Sequence, residues 1–136
     1  MEGSSALFGR KKKEDESSID PEARSPELGV KYKDLLLLGQ LLQQGADLPQ
    51  PRHALYYSYF GSREAAEEGA AEARAAGHSS EVREPLPAQP TQWSLVCERS
   101  DAVLDPTRVN AADDLFQGIA DQLGGEFDGW EAAARP

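Results

Sequence analysis

Polar and apolar residues alternate in the second half of the chain with the periods of short strands. Residues 92–99 place Trp93, Leu95 and Cys97 on one side and polar residues mostly on the other, which is the pattern of a half-buried strand. Residues 53–60 are rich in aromatic side chains and too short for a helix between a proline and a glycine. Two further strands are predicted over 79–84 and 126–132, so four strands are expected.

Two amphipathic helices are predicted between these strands. Ser62 is positioned to cap a helix that ends before Gly77, and a second helix begins after Asp105-Pro106 and ends at Gly124-Gly125. One face of the first helix carries only small residues, which permits close packing on a sheet: Ala66, Gly69, Ala70, Ala73 and Ala76. The order β-α-β-β-α-β predicts an α+β, ferredoxin-like domain over residues 51–134.

An extra N-terminal helix is predicted before this domain. Ser25 can cap it, Pro26 suits its first position and Gly45 can end it, so we assign 28–50 to this helix and a linker. Because its four consecutive leucines, residues 35–38, cover every side, we expect burial on more than one face. Residues 1–27 mix charge with Ser, Pro and Gly, and we expect a disordered charged tail.

Acidic residues outnumber basic ones, and this imbalance limits the expected partners. The 136 residues contain 24 acidic and 14 basic side chains, a net charge of −10; residues 51–136 contain fifteen acidic and seven basic ones. Such a surface repels phosphate backbones and anionic membranes, so neither nucleic acid nor a membrane is an expected partner. No apolar run reaches the roughly 20 residues of a membrane span. A single cysteine excludes an internal disulfide, and we expect a cytoplasmic protein.

No set of residues suggests catalysis, a cofactor or a metal. Cys97 lies in mid-strand, where a small buried residue is the expected role. His53 and His78 stand at the starts of two strands, and we expect both to be partly exposed surface residues. The acidic pairs Glu67-Glu68 and Asp113-Asp114 fall on outward helix faces and are not spaced as a calcium-binding loop. We therefore expect a protein that is not an enzyme.

The first strand carries apolar side chains on both faces. Leu55, Tyr57 and Tyr59 alternate with Tyr56 and Phe60, and two helices can cover only one of these sets. The other set could be covered in three ways: by the N-terminal helix, by a second copy of the chain, or by a ligand. RNA readers of this fold stack bases on such aromatics, but the accompanying basic and glycine residues are missing here. A dimerising or small-ligand-binding module is thus an alternative function.

Five segments match one known family in order and character. The segments are the helix end 40–47, the strand 54–60, the alanine-rich helix closed by Gly77 with Glu81-Val82 after it, the strand around Trp93, and 126–131. The most specific part is Asp128-Gly129-Trp130 soon after a helix that ends in glycine. Over about residues 35–132 the chain resembles the regulator of ribonuclease activity B (RraB) family, the ribonuclease E inhibitors.

The resemblance implies a small, acidic, non-catalytic cytoplasmic protein. Such proteins bind the endoribonuclease of the RNA-degrading assembly, on its non-catalytic scaffold part, and lower its activity. Helix amphipathicity, not the family, selects the candidate contacts, which are Glu64, Glu67, Glu68, Asp113, Asp114 and Asp121. For Asp128-Gly129-Trp130 we favour a structural role, with Gly129 at a bulge and Trp130 at the edge of the core. Self-association into a homo-oligomer is left open.

Overall fold

Three helices and four strands form the part of the chain that the structure, a computed structural model, describes, residues 19–135. The segment 1–18, most of the expected charged tail, lies outside the described residues. In chain order the elements are α1 (Tyr32–Gln43), β1 (Arg52–Phe60), α2 (Arg63–Ala75), β2 (Ser79–Arg83), β3 (Trp93–Ala102), α3 (Pro106–Leu123) and β4 (Glu126–Ala132). All the expected elements are present, and apart from α1 their bounds lie within three residues of the prediction.

The four strands form one antiparallel sheet in the order β2-β3-β1-β4. The central strand β1 pairs on one side with β3, where Tyr56 lies opposite Cys97, and on the other side with β4, where Tyr56 lies opposite Trp130. The chain is thus an α+β protein with an antiparallel sheet, as its alternating pattern predicts.

The core lies between the sheet and helices α2 and α3. Tyr56 of β1 stacks on Phe116 of α3 with ring centroids 4.7 Å apart, and Phe116 in turn stacks on Phe127 of β4 at 5.6 Å. The predicted small face of α2 packs against the sheet, since a Cβ added at Gly69 would come within 3.2 Å of Ile119 and Phe60. Ala76, which we expected on that face, is exposed after the helix end.

Helix α1 begins six residues later than the sequence predicts. Ser25 does not cap a helix; its hydroxyl accepts a hydrogen bond from the backbone N–H of Leu28 inside a tight turn. Gly29 has a φ of 69°, which ends any right-handed helical path there, and Lys31 pairs with Arg24 as an isolated β-bridge. The helix therefore starts at Tyr32, and it ends at Gln43 just before Gly45, as predicted.

The fully buried residues of α1, Asp34, Leu38 and Leu41, lie on one side of the helix, whereas we expected burial on more than one face. Leu38 and Leu41 join the core, whereas Leu36 is 69% exposed and Leu42 is 56% exposed. The buried side faces β4, because Asp34 of α1 accepts a hydrogen bond from the indole of Trp130. Trp130 lies opposite Tyr56, which stacks on α3, so this contact is on the helix side of the sheet. The helix lies beside the edge strand and on the same side of the sheet as α2 and α3, and so it leaves the opposite face uncovered.

Residues 19–27 do not follow the prediction of a disordered tail. Arg24 donates hydrogen bonds to Asn110 at 2.6 Å and to Asp114 at 2.8 Å, both on α3. Ser25 is buried, and its N–H bonds to the carbonyl of Val30. The two Arg24 contacts depend on acceptors more than 80 residues away, which composition alone does not reveal.

Candidate functional site

The outer side of α2 presents three glutamates in one row. Glu64, Glu67 and Glu68, called the acidic row below, have the i, i+3, i+4 spacing that places side chains together on a helix surface. All three are exposed, and none has an ion-pair partner among residues 19–135. The hydroxyl of Ser62 caps the helix by accepting from the N–H of Ala65 at 3.1 Å. The row is therefore a negative surface on a capped helix, with no compensating cation among the described residues.

Two candidate acids on α3, Asp114 and Asp121, are also exposed but engaged. Asp114 forms an ion pair with Arg24 at 2.8 Å, and Asp121 accepts a hydrogen bond from Gln117 at 2.9 Å. No contact in the described part of the chain joins them to the acidic row. The structure brings together the α2 acids and leaves the α3 acids apart.

Asp113 does not lie on the outward face, and this prediction is wrong. Its side chain is 1% exposed and forms an ion pair with Lys31 at 3.0 Å, with Arg24 further away at 3.7 Å. The segment that precedes α1 covers this side of α3 and supplies both cations. The helical pattern of polar residues cannot reveal the burial of Asp113. In that pattern a carboxylate that is buried against a distant cation looks the same as a surface carboxylate.

The Asp128-Gly129-Trp130 segment forms a bulge in β4. The register with β1 shifts there: Gly129 lies opposite Tyr57 and Phe127 opposite Ser58, so that Asp128 has no partner. Gly129 has a φ of 122°, which disfavours any residue with a side chain. Trp130 is half-buried against the core, and its indole N–H donates to Asp34 Oδ1 at 2.9 Å. The bulge and this contact both support the structural role that we favoured.

The face of the sheet opposite the helices carries the second apolar set of β1. Leu55, Tyr57 and Tyr59 are half-buried and lie beside Val96 of β3, and we call these four residues the open sheet face. Exposed acids surround them, since Glu98 and Glu131 flank Leu55 and Glu81 lies opposite Val96. Tyr57 donates its hydroxyl hydrogen bond to Glu131 at 2.9 Å. No described helix covers this face.

Comparison with known protein families decides the classification. The family model described as regulator of ribonuclease activity B matches residues 34–132, which are 99 of the 136 residues. The chain belongs to the RraB family. Its matched region begins inside α1 and ends with β4, so α1, the sheet and the bulge at Asp128 all lie in the RraB region. No curated protein matches the sequence.

The two histidines and the cysteine of the RraB region differ in burial and in contacts. His53 is exposed and contacts Glu98, whereas Cys97 is fully buried, as expected. Burial raises the pKa of the Cys97 thiol to about 12, so it is not a reactive thiolate. Among residues 19–135 no three His, Cys, Asp or Glu side chains converge as metal ligands, and no helix is long and apolar enough to cross a membrane.

His78 is buried, which contradicts the exposed surface position that we expected. It is 6% exposed, because Tyr56 and Phe116 pack edge-on against its ring at centroid distances of 5.3 Å and 5.0 Å. His78 also lines a cavity of about 480 Å³, together with side chains of β1, β3 and α3. The sequence offers no spacing signal for this cavity, because its polar residues come from three separate places: just before β2, the end of β3, and α3.

Proposed function

We propose that this chain is a non-enzymatic regulator that binds an endoribonuclease and modulates RNA degradation in the cytoplasm. The RraB match over residues 34–132 carries the proposal, since the family is described by regulation of a ribonuclease. The order of elements and of strands supports a ferredoxin-like fold with one extra N-terminal helix. The buried, protonated thiol of Cys97 is consistent with a binding role and not with nucleophilic chemistry.

The acidic row is the surface that we propose for the contact. Its three carboxylates are held on a capped helix and have no ion-pair partner within residues 19–135, so a basic partner segment gains attraction without breaking a described ion pair. Scaffold segments that bind RNA are rich in arginine, and such a segment complements the row. An anionic surface of this kind accelerates association with a basic partner, and the effect weakens with salt. Occupying the segment would reduce its contact with RNA.

A binding experiment with the scaffold segment of the endoribonuclease from the same organism tests this proposal. We expect Glu64→Gln, Glu67→Gln and Glu68→Gln combined to weaken binding about 10-fold at low salt. The matched control removes the same charge elsewhere, with Glu81→Gln, Glu98→Gln and Glu131→Gln combined, and should change the affinity less than about threefold. Equal losses of affinity for both variants would mean that net charge, and not the acidic row, determines binding. Wild-type binding that does not change with salt would also contradict the proposal.

A second function is favoured by the open sheet face, which no described helix covers. Half-buried apolar side chains at the centre of a sheet are typical of surfaces that pair with another copy or a ligand. A dimerising module of this kind would self-associate through Leu55, Tyr57 and Tyr59. Sedimentation of the wild type and of Tyr57→Lys separates the two functions. A tight dimer that Tyr57→Lys dissociates supports this alternative, and a monomer at all concentrations excludes it.

A further inference from the structure

A cavity of about 480 Å³ opens between the ends of α2 and β3 and one side of α3. This volume is in the range of small-molecule sites. Its apolar wall combines the ring of Tyr56 with aliphatic side chains of α3, including Ala112 and Leu115. Its polar groups are His78, Arg99, Asp101 and Arg108. The cavity lies on the helix side of the sheet, away from both the acidic row and the open sheet face.

His78 is the most buried of these four polar groups, and no described residue makes a well-formed hydrogen bond with its ring. His78 is 94% buried, and neither ring nitrogen has a hydrogen bond of good geometry among the described residues, although the Ala73 carbonyl acts on the ring. Burial lowers the pKa of His78, and the Arg99 guanidinium acts in the same direction, so the ring is neutral near pH 7. A neutral imidazole offers one N–H donor and one acceptor. Unpaired buried polar atoms are costly, and a ligand in the cavity can satisfy them.

Two arginines at the opening have donors that no residue of 19–135 occupies. Arg99 uses its Nε to bond Asp101 at 3.0 Å, and both of its terminal nitrogens lie beside Gly77 without a described hydrogen-bond partner. Arg108 contacts Asp105 through Nη1 alone, so its Nη2 and Nε are also available. The two aspartates offset part of the positive charge, but they leave the donors unoccupied. Paired guanidinium donors suit the oxygens of a carboxylate or phosphate group.

We propose that this cavity binds a small organic anion, with a carboxylate or phosphate group at Arg99 and Arg108 and an apolar portion against Tyr56, Ala112 and Leu115. A polar atom of the ligand bonds the ring of His78. The site is independent of the proposed contact with an endoribonuclease, and either proposal can fail without the other. The RraB chain would then carry a ligand site in addition to its protein-binding surface.

Histidine NMR on the full chain with phenyl phosphate and benzoate as probes tests this site. The Cε1–Hε1 signals of His78 and His53 are followed during each titration. We expect saturable shifts of the His78 signal with a Kd of about 1 mM or below for at least one probe, and little change at exposed His53. The two probes separate phosphate from carboxylate recognition. The proposal is overturned if neither probe gives a saturable shift, or if His78 and His53 shift equally.

Variants assign the site to its residues. Arg99→Gln should weaken binding of the better probe about 10-fold, whereas Arg83→Gln, at an exposed arginine on β2, should leave the Kd unchanged. Ala111 is exposed at the rim of the cavity, so Ala111→Phe narrows the opening without disturbing the core. We expect this variant to keep the wild-type thermal midpoint and to lose probe binding. Undiminished binding in both Arg99→Gln and Ala111→Phe contradicts the assignment.

Discussion

Trp130 Nε1 donates a hydrogen bond to Asp34 Oδ1 at 2.9 Å, across 96 residues of sequence. This bond ties α1 to the bulged edge strand β4, and both residues lie in the range that the RraB family model matches. The bulge at Asp128 and Gly129 sets the register in which Trp130 faces the core and not solvent. The most specific segment of the resemblance therefore serves the docking of the N-terminal helix.

Removing the indole donor should destabilise the protein. In Trp130→Phe the ring volume is partly kept, but Asp34 loses its hydrogen bond, and its other oxygen, Oδ2, already has no described partner. We expect a loss of about 2 kcal/mol in the free energy of unfolding, measured by urea denaturation with circular dichroism. Trp93→Phe is the control, because Trp93 is also half-buried. This variant should lose less free energy of unfolding. Equal losses for the two variants would contradict a special role for the Trp130 bond.

Asp34 should also make stability depend on pH. Burial raises the pKa of Asp34. The Trp130 hydrogen bond lowers this pKa, the nearby Asp113 charge raises it further, and the net shift is upward. Above about pH 4 the folded state then binds more protons than the unfolded state. The contribution of Asp34 to the free energy of unfolding therefore falls as the pH rises from about 4. Asp34→Asn keeps an acceptor for Trp130 and cannot ionise. We expect its stability relative to the wild type to increase between about pH 4 and pH 7, and a constant difference would contradict this.

Asp113 should contribute far more to stability than its sequence neighbour Asp114. Asp113 is buried against Lys31, which is itself buried, whereas Asp114 is exposed and pairs with Arg24. Among residues 19–135, Asp113→Asn leaves the Lys31 charge paired with exposed Glu22 alone, and we expect a loss of about 3 kcal/mol in the free energy of unfolding. Asp114→Asn should cost less than about 1 kcal/mol. Urea denaturation of both variants checks this, and comparable losses would mean that the Lys31 pair contributes little.

The sheet and its helices could be predicted because their signals are local. Alternation of apolar residues gives β3, small residues at helical spacing give the packed face of α2, and Gly129 marks the bulge in β4. The start of α1 could not be predicted in this way. A capping serine and a following proline at positions 25–26 also suit the tight turn that the chain adopts instead.

The positions that were wrong depend on contacts between distant parts of the chain. Asp113 is buried because cations preceding α1 cover it, and His78 is buried because Phe116 of α3 packs against its ring. Neither contact leaves a periodic pattern. The cavity beside His78 needs β1, β3 and α3 in their final positions, so only the folded structure reveals it.

Cys97 should be unreactive in the folded protein. Its side chain is fully buried opposite Tyr56, and burial raises the pKa of the thiol to about 12. The thiolate that reacts with disulfide reagents is therefore both rare and inaccessible. We expect modification by a chromogenic aromatic disulfide at pH 8 to be at least about 100-fold slower than in urea-unfolded protein. Rapid native labelling would show that β3 opens readily.

Alanine substitutions at two glycines near the end of α3 should change the stability of the protein in opposite directions. A Cβ at Gly125 would overlap the Phe60 ring and lie 2.5 Å from the backbone oxygen of Tyr59, whereas one at Gly118 has no described atom within 4 Å. Gly125→Ala must displace the end of β1 and should cost about 2 kcal/mol or more. Gly118→Ala removes backbone freedom in an exposed helix interior and should stabilise by about 0.5–1 kcal/mol. Thermal unfolding of the pair measures both, and a stable Gly125→Ala variant would contradict the close approach of the α3–β4 turn to β1.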